Sequence, residues 1–161
     1  MDIDPVDIEH ILSLLAQTPG RISTISTRYE NTRLTFKPDE TTWSANDILA
    51  HLRSCADMWG KSIMAMISND QPTSRYVSPR AWIRKTNYAA LEFRVSLEGF
   101  TRQRNDLLQS LKALAIKDWS RGATFTGPTK GREQTILSYA RRMAQYEGEH
   151  CEQLENLLGP K

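Results

Sequence analysis

The stretch GREQTILSYARRMAQYEGEHCEQLENLL, residues 131–158, decides the fold. Ile136, Ala140, Met143, Ala144, Cys151, Leu154 and Leu158 recur at steps of three and four, so at about 3.6 residues per turn they form one stripe along a helix. A stripe of that width must pack on other helices. The same pattern puts Glu147 in the middle of the stripe, one turn past Met143 and one turn before Cys151, with His150 three residues later on the same face. A carboxylate on a core face is costly unless a proton, a cation or hydrogen bonds satisfy it. The segment EGEH is therefore the most informative local feature of the chain.

Working outward, three more helices are expected. The first covers residues 5–29, with Ile8, Ile11, Leu12 and Leu15 at helical spacing, a break at Thr18-Pro19-Gly20, and a second piece carrying Ile22 and Ile25. The second covers 44–68. Ser44 and Asp47 have the spacing of a capping box, Trp43 precedes them as a staple, and Ile48, Leu52, Cys55, Trp59, Ile63 and Met66 form a clean stripe. The third covers 86–114, where Tyr88, Leu91 and Val95 give way to a rotated line of Leu97, Phe100, Leu107, Leu111 and Leu114, so a bend is expected near Gly99. Residues 31–42, 69–84 and 120–130 lack periodicity and read as connections; in the last, two glycines and Pro128 argue against regular structure. No segment alternates with period two, so no strands are expected. The reading is an all-α protein, a four-helix bundle with a long crossover between helices two and three, in a single domain over residues 1–161.

With 21 basic and 19 acidic residues the formal net charge is +2, which argues against a nucleic-acid binder and its basic stripe. Cys55 and Cys151 both fall inside helical patterns and read as a reduced, buried pair, not a disulfide scaffold. Nothing basic stands beside either in sequence to activate it. The acidic start MDIDPVDIEH is not a signal peptide and no membrane span is legible, so a soluble, cytoplasmic protein is expected.

Three polar groups fall on or beside the apolar faces: His51 on the second helix, and Glu147 and His150 on the fourth. A Glu-x-x-His spacing on one helix, completed by a histidine from a facing helix, is the arrangement that bundle metal sites use. The plain alternative is a set of hydrogen-bonded core neighbours. His10 lies off the apolar line and reads as a solvated surface residue. In the crossover, Tyr76 and Trp82 among Arg75, Arg80, Arg84 and Lys85 read as a solvated loop or as a grip on an anionic ligand.

The segment WSANDILAHL at 43–52 heading a long helix, then FTRQRNDLLQSLKAL, DWSR, a Gly-containing loop and a last helix with His150, Gln153 and Leu154, resembles the plan of the DinB-like (DNA-damage-inducible, DinB/YfiT-like) four-helix family over nearly the whole chain. The resemblance implies an up-down-down-up bundle, frequently dimeric, and a divalent metal (Ni, Zn, Mn or Fe) held by three histidines. One of those lies on helix two, and two lie four residues apart on helix four. His51 matches the first position and His150 the last, while the middle position falls on Tyr146. A phenol with a pKa of about 10 is a poor divalent ligand. Either the neighbouring Glu147 or a water takes that place, or the site has decayed into a hydrogen-bonded cluster of Tyr146, Glu147, His51 and His150. The activity implied by an intact site is metal-assisted thiol transfer or hydrolysis of a small-molecule or thiol substrate. A degenerate site implies a non-catalytic, dimeric bundle with a small-ligand pocket.

Overall fold

A computed structural model describes residues 2–127 and 132–159. Four long helices make the bundle: α1 (Pro5–Ser26), α3 (Ala45–Ser68), α5 (Phe93–Lys112) and α6 (Ile136–Leu158), with the short α2 (Asn31–Leu34) and α4 (Pro79–Ile83) in the connections. α1 and α3 each pack on both α5 and α6, so the first two long helices sit on a diagonal. Ion pairs Asp7–Arg141 and Arg21–Glu155 join α1 to α6 at matching steps of 14 residues, which makes those two helices parallel. Arg53 lies against Gly99 and Asp57 accepts from Gln103, so α3 and α5 are parallel as well. The resulting order is up-down-down-up, as the resemblance implies. No helix among the described residues is long and apolar enough to cross a membrane.

The capping box of the second long helix forms as read: the Asp47 amide donates to Ser44 Oγ at 3.0 Å, and the Ser44 amide donates to Asp47 Oδ2 at 3.0 Å. Other boundaries differ from the sequence reading, each for a physical reason. α1 runs unbroken through Pro19. Proline removes the amide that would bond the Leu15 carbonyl, and the buried Arg104 guanidinium donates to that carbonyl instead, from Nη1 at 2.9 Å. α5 begins only at Phe93, because residues 88–90 form a separate 3-10 turn. The Asn46 side chain donates to the carbonyls of Ala89 and Leu91 at 3.3 and 3.1 Å, holding that approach outside the helix.

The largest correction is a small sheet where no strands were expected. β1 (Thr73–Arg75) pairs in parallel with β2 (Gly122–Thr126), and β2 pairs antiparallel with β3 (Arg132–Thr135). Strands of three to five residues are too short for period-two alternation to show. At Gly122 a Cβ would lie 2.8 Å from the Gln134 carbonyl oxygen, so close strand approach requires glycine there. The expected start of the last helix moves to Ile136, where Thr135 and Ser138 form a second capping box. Pro128 and Pro160, read as loop and terminator, lie outside the described residues.

The apolar core falls into two clusters. One holds Ile8, Ile11, Leu15, Trp59, Leu107 and Met143 with the sheet residue Phe125; the other holds Ile22, Leu49, Leu52, Phe100, Cys151 and Leu154. On every long helix the boundary falls at one level, between Leu15 and Ile22, Leu52 and Cys55, Phe100 and Leu107, and Ala144 and Cys151. The buried polar side chains of the bundle centre lie at that level.

Candidate functional site

Two neighbouring residues of α6 head the two halves of this polar layer. Glu147 is 1% exposed and meets Arg104, also 1% exposed, in a two-pronged ion pair, Nη1 to Oε1 at 2.7 Å and Nη2 to Oε2. Arg104 also stacks over the Phe100 ring, its guanidinium carbon 4.9 Å from the centroid. Both carboxylate oxygens of Glu147 are thus engaged by an arginine, and no hydrogen bond joins Glu147 to His51, Tyr146 or His150 among the described residues. Glu147, which the spacing offers as the carboxylate of a metal set, has its core charge balanced by a cation of the protein's own.

Tyr146 points the other way, toward α3. Because α3 and α6 run antiparallel, the second turn of α3 meets the middle of α6, and His51 Nε2 lies 2.7 Å from Tyr146 Oη. The His51 and His150 ring centres are 5.2 Å apart at 72°, and the Tyr146 and His150 ring centres are 4.5 Å apart. Trp43, just ahead of the Ser44 cap, packs 5.0 Å from the His51 ring and stacks toward His150 at 6.5 Å, with the Arg80 guanidinium 5.9 Å from its ring centre. Trp59, two turns beyond His51, meets the Tyr146 ring edge-on at 5.3 Å. The cluster is walled by indoles, and a small cavity of about 170 Å³ opens beside His51, Trp43 and Arg80.

Burial dominates the electrostatics of His51 and Tyr146. His51 is 5% exposed, and burial first, then the charges of His150 and Arg80, pull its pKa down to about 4. At neutral pH its ring is uncharged and carries one lone pair. The Tyr146 hydroxyl is pushed above its usual range, chiefly by burial, against the lowering pull of Arg80 and Arg142. The Cys55 thiol lies 3.5 Å from His51 Nε2, and burial with the nearby Glu147 charge raises it to about 12. Cys151 is raised to about 11, chiefly by burial. Both thiols are therefore buried and protonated, which agrees with their reading as core residues. His150 Nδ1 sits 2.7 Å from Gln153 Oε1. An amide oxygen only accepts, so Nδ1 is the donor in this contact.

The structure therefore brings His51, Tyr146 and His150 together and sets Glu147 apart. Among the described residues no three His, Cys, Asp or Glu side chains converge as a metal set. The groups that meet at the cluster are two imidazoles and a phenol. His10 is exposed, as read. Of the crossover residues, Trp82 Nε1 and Tyr88 Oη donate to Asp57 Oδ2 at 2.8 and 2.6 Å, pinning that segment to α3. Sequence reasoning missed Arg104, although it sits between Phe100 and Leu107 on the apolar line of its helix. It also missed Asp57, for which no comparable spacing signal exists.

Comparison with known proteins places this geometry. No curated protein matches the chain by sequence. Among solved structures, YfiT from Bacillus subtilis, described as a probable metal-dependent hydrolase with an unusual four-helix bundle topology, superposes with a TM-score of 0.82 at 14% identity, over 99% of this chain and 92% of that one. At that identity the likeness establishes the fold. The family model described as the DinB superfamily matches residues 14–154, and with so much of its length covered the chain belongs to that superfamily.

Proposed function

We propose that the protein is a metal-assisted enzyme of hydrolase or thiol-transfer type, in which His51 and His150 hold one divalent ion and Tyr146 occupies the third position beside them. The observation that carries this reading is the facing pair of imidazoles, 5.2 Å between ring centres, with Gln153 orienting one of them. Neutral imidazole is a good ligand for Zn, Ni and Fe, and a hydrogen-bonded Nδ1 on a ligating histidine is the usual outer-sphere arrangement. The description of YfiT as a probable metal-dependent hydrolase points the same way.

A bound divalent ion would supply Lewis acidity and lower the pKa of a coordinated water or thiol. The chain's own residues do the rest. His51 stays unprotonated at neutral pH because burial and the neighbouring cations disfavour its charged form. Gln153 fixes the tautomer and orientation of His150. The Tyr146 hydroxyl hydrogen-bonds His51 and is held above its usual titration range, which makes it a weak ligand. Trp43 and Trp59 screen the cluster from bulk water, which strengthens every polar contact inside it.

A second reading, a non-catalytic bundle with a degenerate site, is favoured by one specific observation. The 2.7 Å contact between His51 and Tyr146 already satisfies the polar atoms that a metal would need. Titrating untagged, metal-free protein with Zn²⁺ or Ni²⁺ against a chromophoric chelator separates the two readings. Under the metal reading, one equivalent binds, His51→Ala and His150→Ala each abolish binding, and Gln153→Ala weakens it by about tenfold. Tyr146→His, which supplies a third nitrogen, tightens it. Absence of saturable binding to the wild type, with Tyr146→His equally inert, defeats the metal reading and leaves the second.

A further inference from the structure

We propose that the cleft between the small sheet, α3 and α6 is a binding site for a planar aromatic anion. Two adjoining cavities, of about 540 and 180 Å³, share Trp59, Tyr76, Phe125 and Tyr139 in their walls. The larger one alone falls in the size range of small-molecule sites, about 300–1,000 Å³. Four aromatic rings in one concavity give a flat ligand faces to stack on, and the Phe125 and Tyr139 rings are already 5.3 Å apart.

Charge selects the ligand's sign. Arg75 and Arg142 stand at the rim, and among the described residues lining either cavity there is no aspartate or glutamate. Neither guanidinium makes an ion pair or a side-chain hydrogen bond among the described residues, whereas the neighbouring Arg141 is paired with Asp7. Planar guanidinium groups without partners beside an aromatic floor suit a carboxylate, sulfonate or phosphate carried on a ring system.

The cleft also communicates with the polar cluster. Trp59 forms part of its wall and meets the Tyr146 ring on another side, and the Arg142 charge acts on the Tyr146 hydroxyl. A ligand in the cleft therefore lies one indole away from the His51–Tyr146 contact. The inference does not depend on the metal reading, because the cleft is built from residues outside the proposed ligand set.

The test is calorimetric titration of chelator-treated full-length protein with 2-naphthoate and with the neutral 2-naphthalenemethanol, alongside Trp side-chain NMR. The proposal expects saturable binding of the anion and displacement of the Trp59 indole resonance. It also expects that of Trp119, which is buried and lines neither cavity, to stay unmoved. Arg142→Ala should weaken binding by about tenfold or more, as expected for loss of a charge-assisted contact, with Arg142→Lys retaining most of it. Tyr76→Ala, at an exposed position that tolerates truncation, should weaken it as well. Equal affinity for the neutral analogue, unchanged affinity in Arg142→Ala, or no saturable binding at millimolar ligand overturns the proposal. Because no metal is present in this experiment, its failure leaves the metal reading untouched, and the reverse holds too.

Discussion

Tyr146 and Glu147 are consecutive residues of one helix, yet they serve two unlike polar clusters. Glu147 faces inward to Arg104 and closes a buried charge pair in which the guanidinium also caps the carbonyl left bare by Pro19. Tyr146 faces α3 and joins a group of rings beside a cavity, with Nε2 of His150 in no hydrogen bond among the described residues. The first cluster pairs its charges within the fold; the second keeps chemical capacity that the fold does not consume. Opposite charges shut in the core make an internal brace, because opening the pair leaves a charge without water. Imidazoles at an indole-lined edge can exchange one partner for another.

The sharpest way to break the contrast is to remove one side of the brace. Glu147→Ala leaves Arg104 charged, buried and unpaired, so a loss of about 3–5 kcal/mol is expected in urea melts, which for a chain of this length lowers Tm by about 6–20 °C. Adding Arg104→Met should recover part of that loss by removing the orphaned charge, although the Leu15 carbonyl then goes without its donor. A Glu147→Ala protein as stable as the wild type would mean that the pair is no brace.

Acidification probes the other cluster. In metal-free protein the folded-state pKa of His51, about 4, lies below the ordinary value of 6.5, so the unfolded chain takes up a proton first. Stability is intact above about pH 6.5 and falls as pH drops through 6.5 toward 4, by about 3 kcal/mol at the lower end if His51 acts alone. His51→Gln should flatten that slope in melts at pH 7, 6 and 5. An unchanged slope would show that His51 is not held neutral by the fold.

Smaller effects sharpen the picture. Tyr146→Phe removes one hydrogen bond at a half-buried site and should cost about 1 kcal/mol, far less than the Glu147 variants, because His51 can then turn to water. Native protein should react with a thiol reagent at pH 8 only on unfolding, since both cysteines are buried with raised pKa values. Fast labelling of Cys55 without unfolding would mean that the cavity beside His51 opens further than the structure shows.

Much of this was legible in the sequence, and the failures share causes. Four apolar stripes and the Ser44–Asp47 cap carried the bundle, because period and capping are local properties. The break at Pro19 was misread because the donor that repairs it comes from Arg104, 89 residues away, which no local signal reports. The strands were missed because they are short and pair across the crossover. At the site, the spacing of His51 and His150 was readable from the helical repeat. Whether Glu147 served a metal or an arginine depended on which neighbour its face met. The cue was Arg104 in an apolar line, where a buried cation demands an anion.

The most direct test of the contrast is metal content measured on three untagged proteins prepared side by side: wild type, Glu147→Gln and His150→Ala. The account predicts equal, stoichiometric metal in the wild type and in Glu147→Gln, despite a lowered Tm in the latter, and none in His150→Ala. Loss of metal in Glu147→Gln with retention in His150→Ala would reverse the roles assigned to the two clusters and contradict the account.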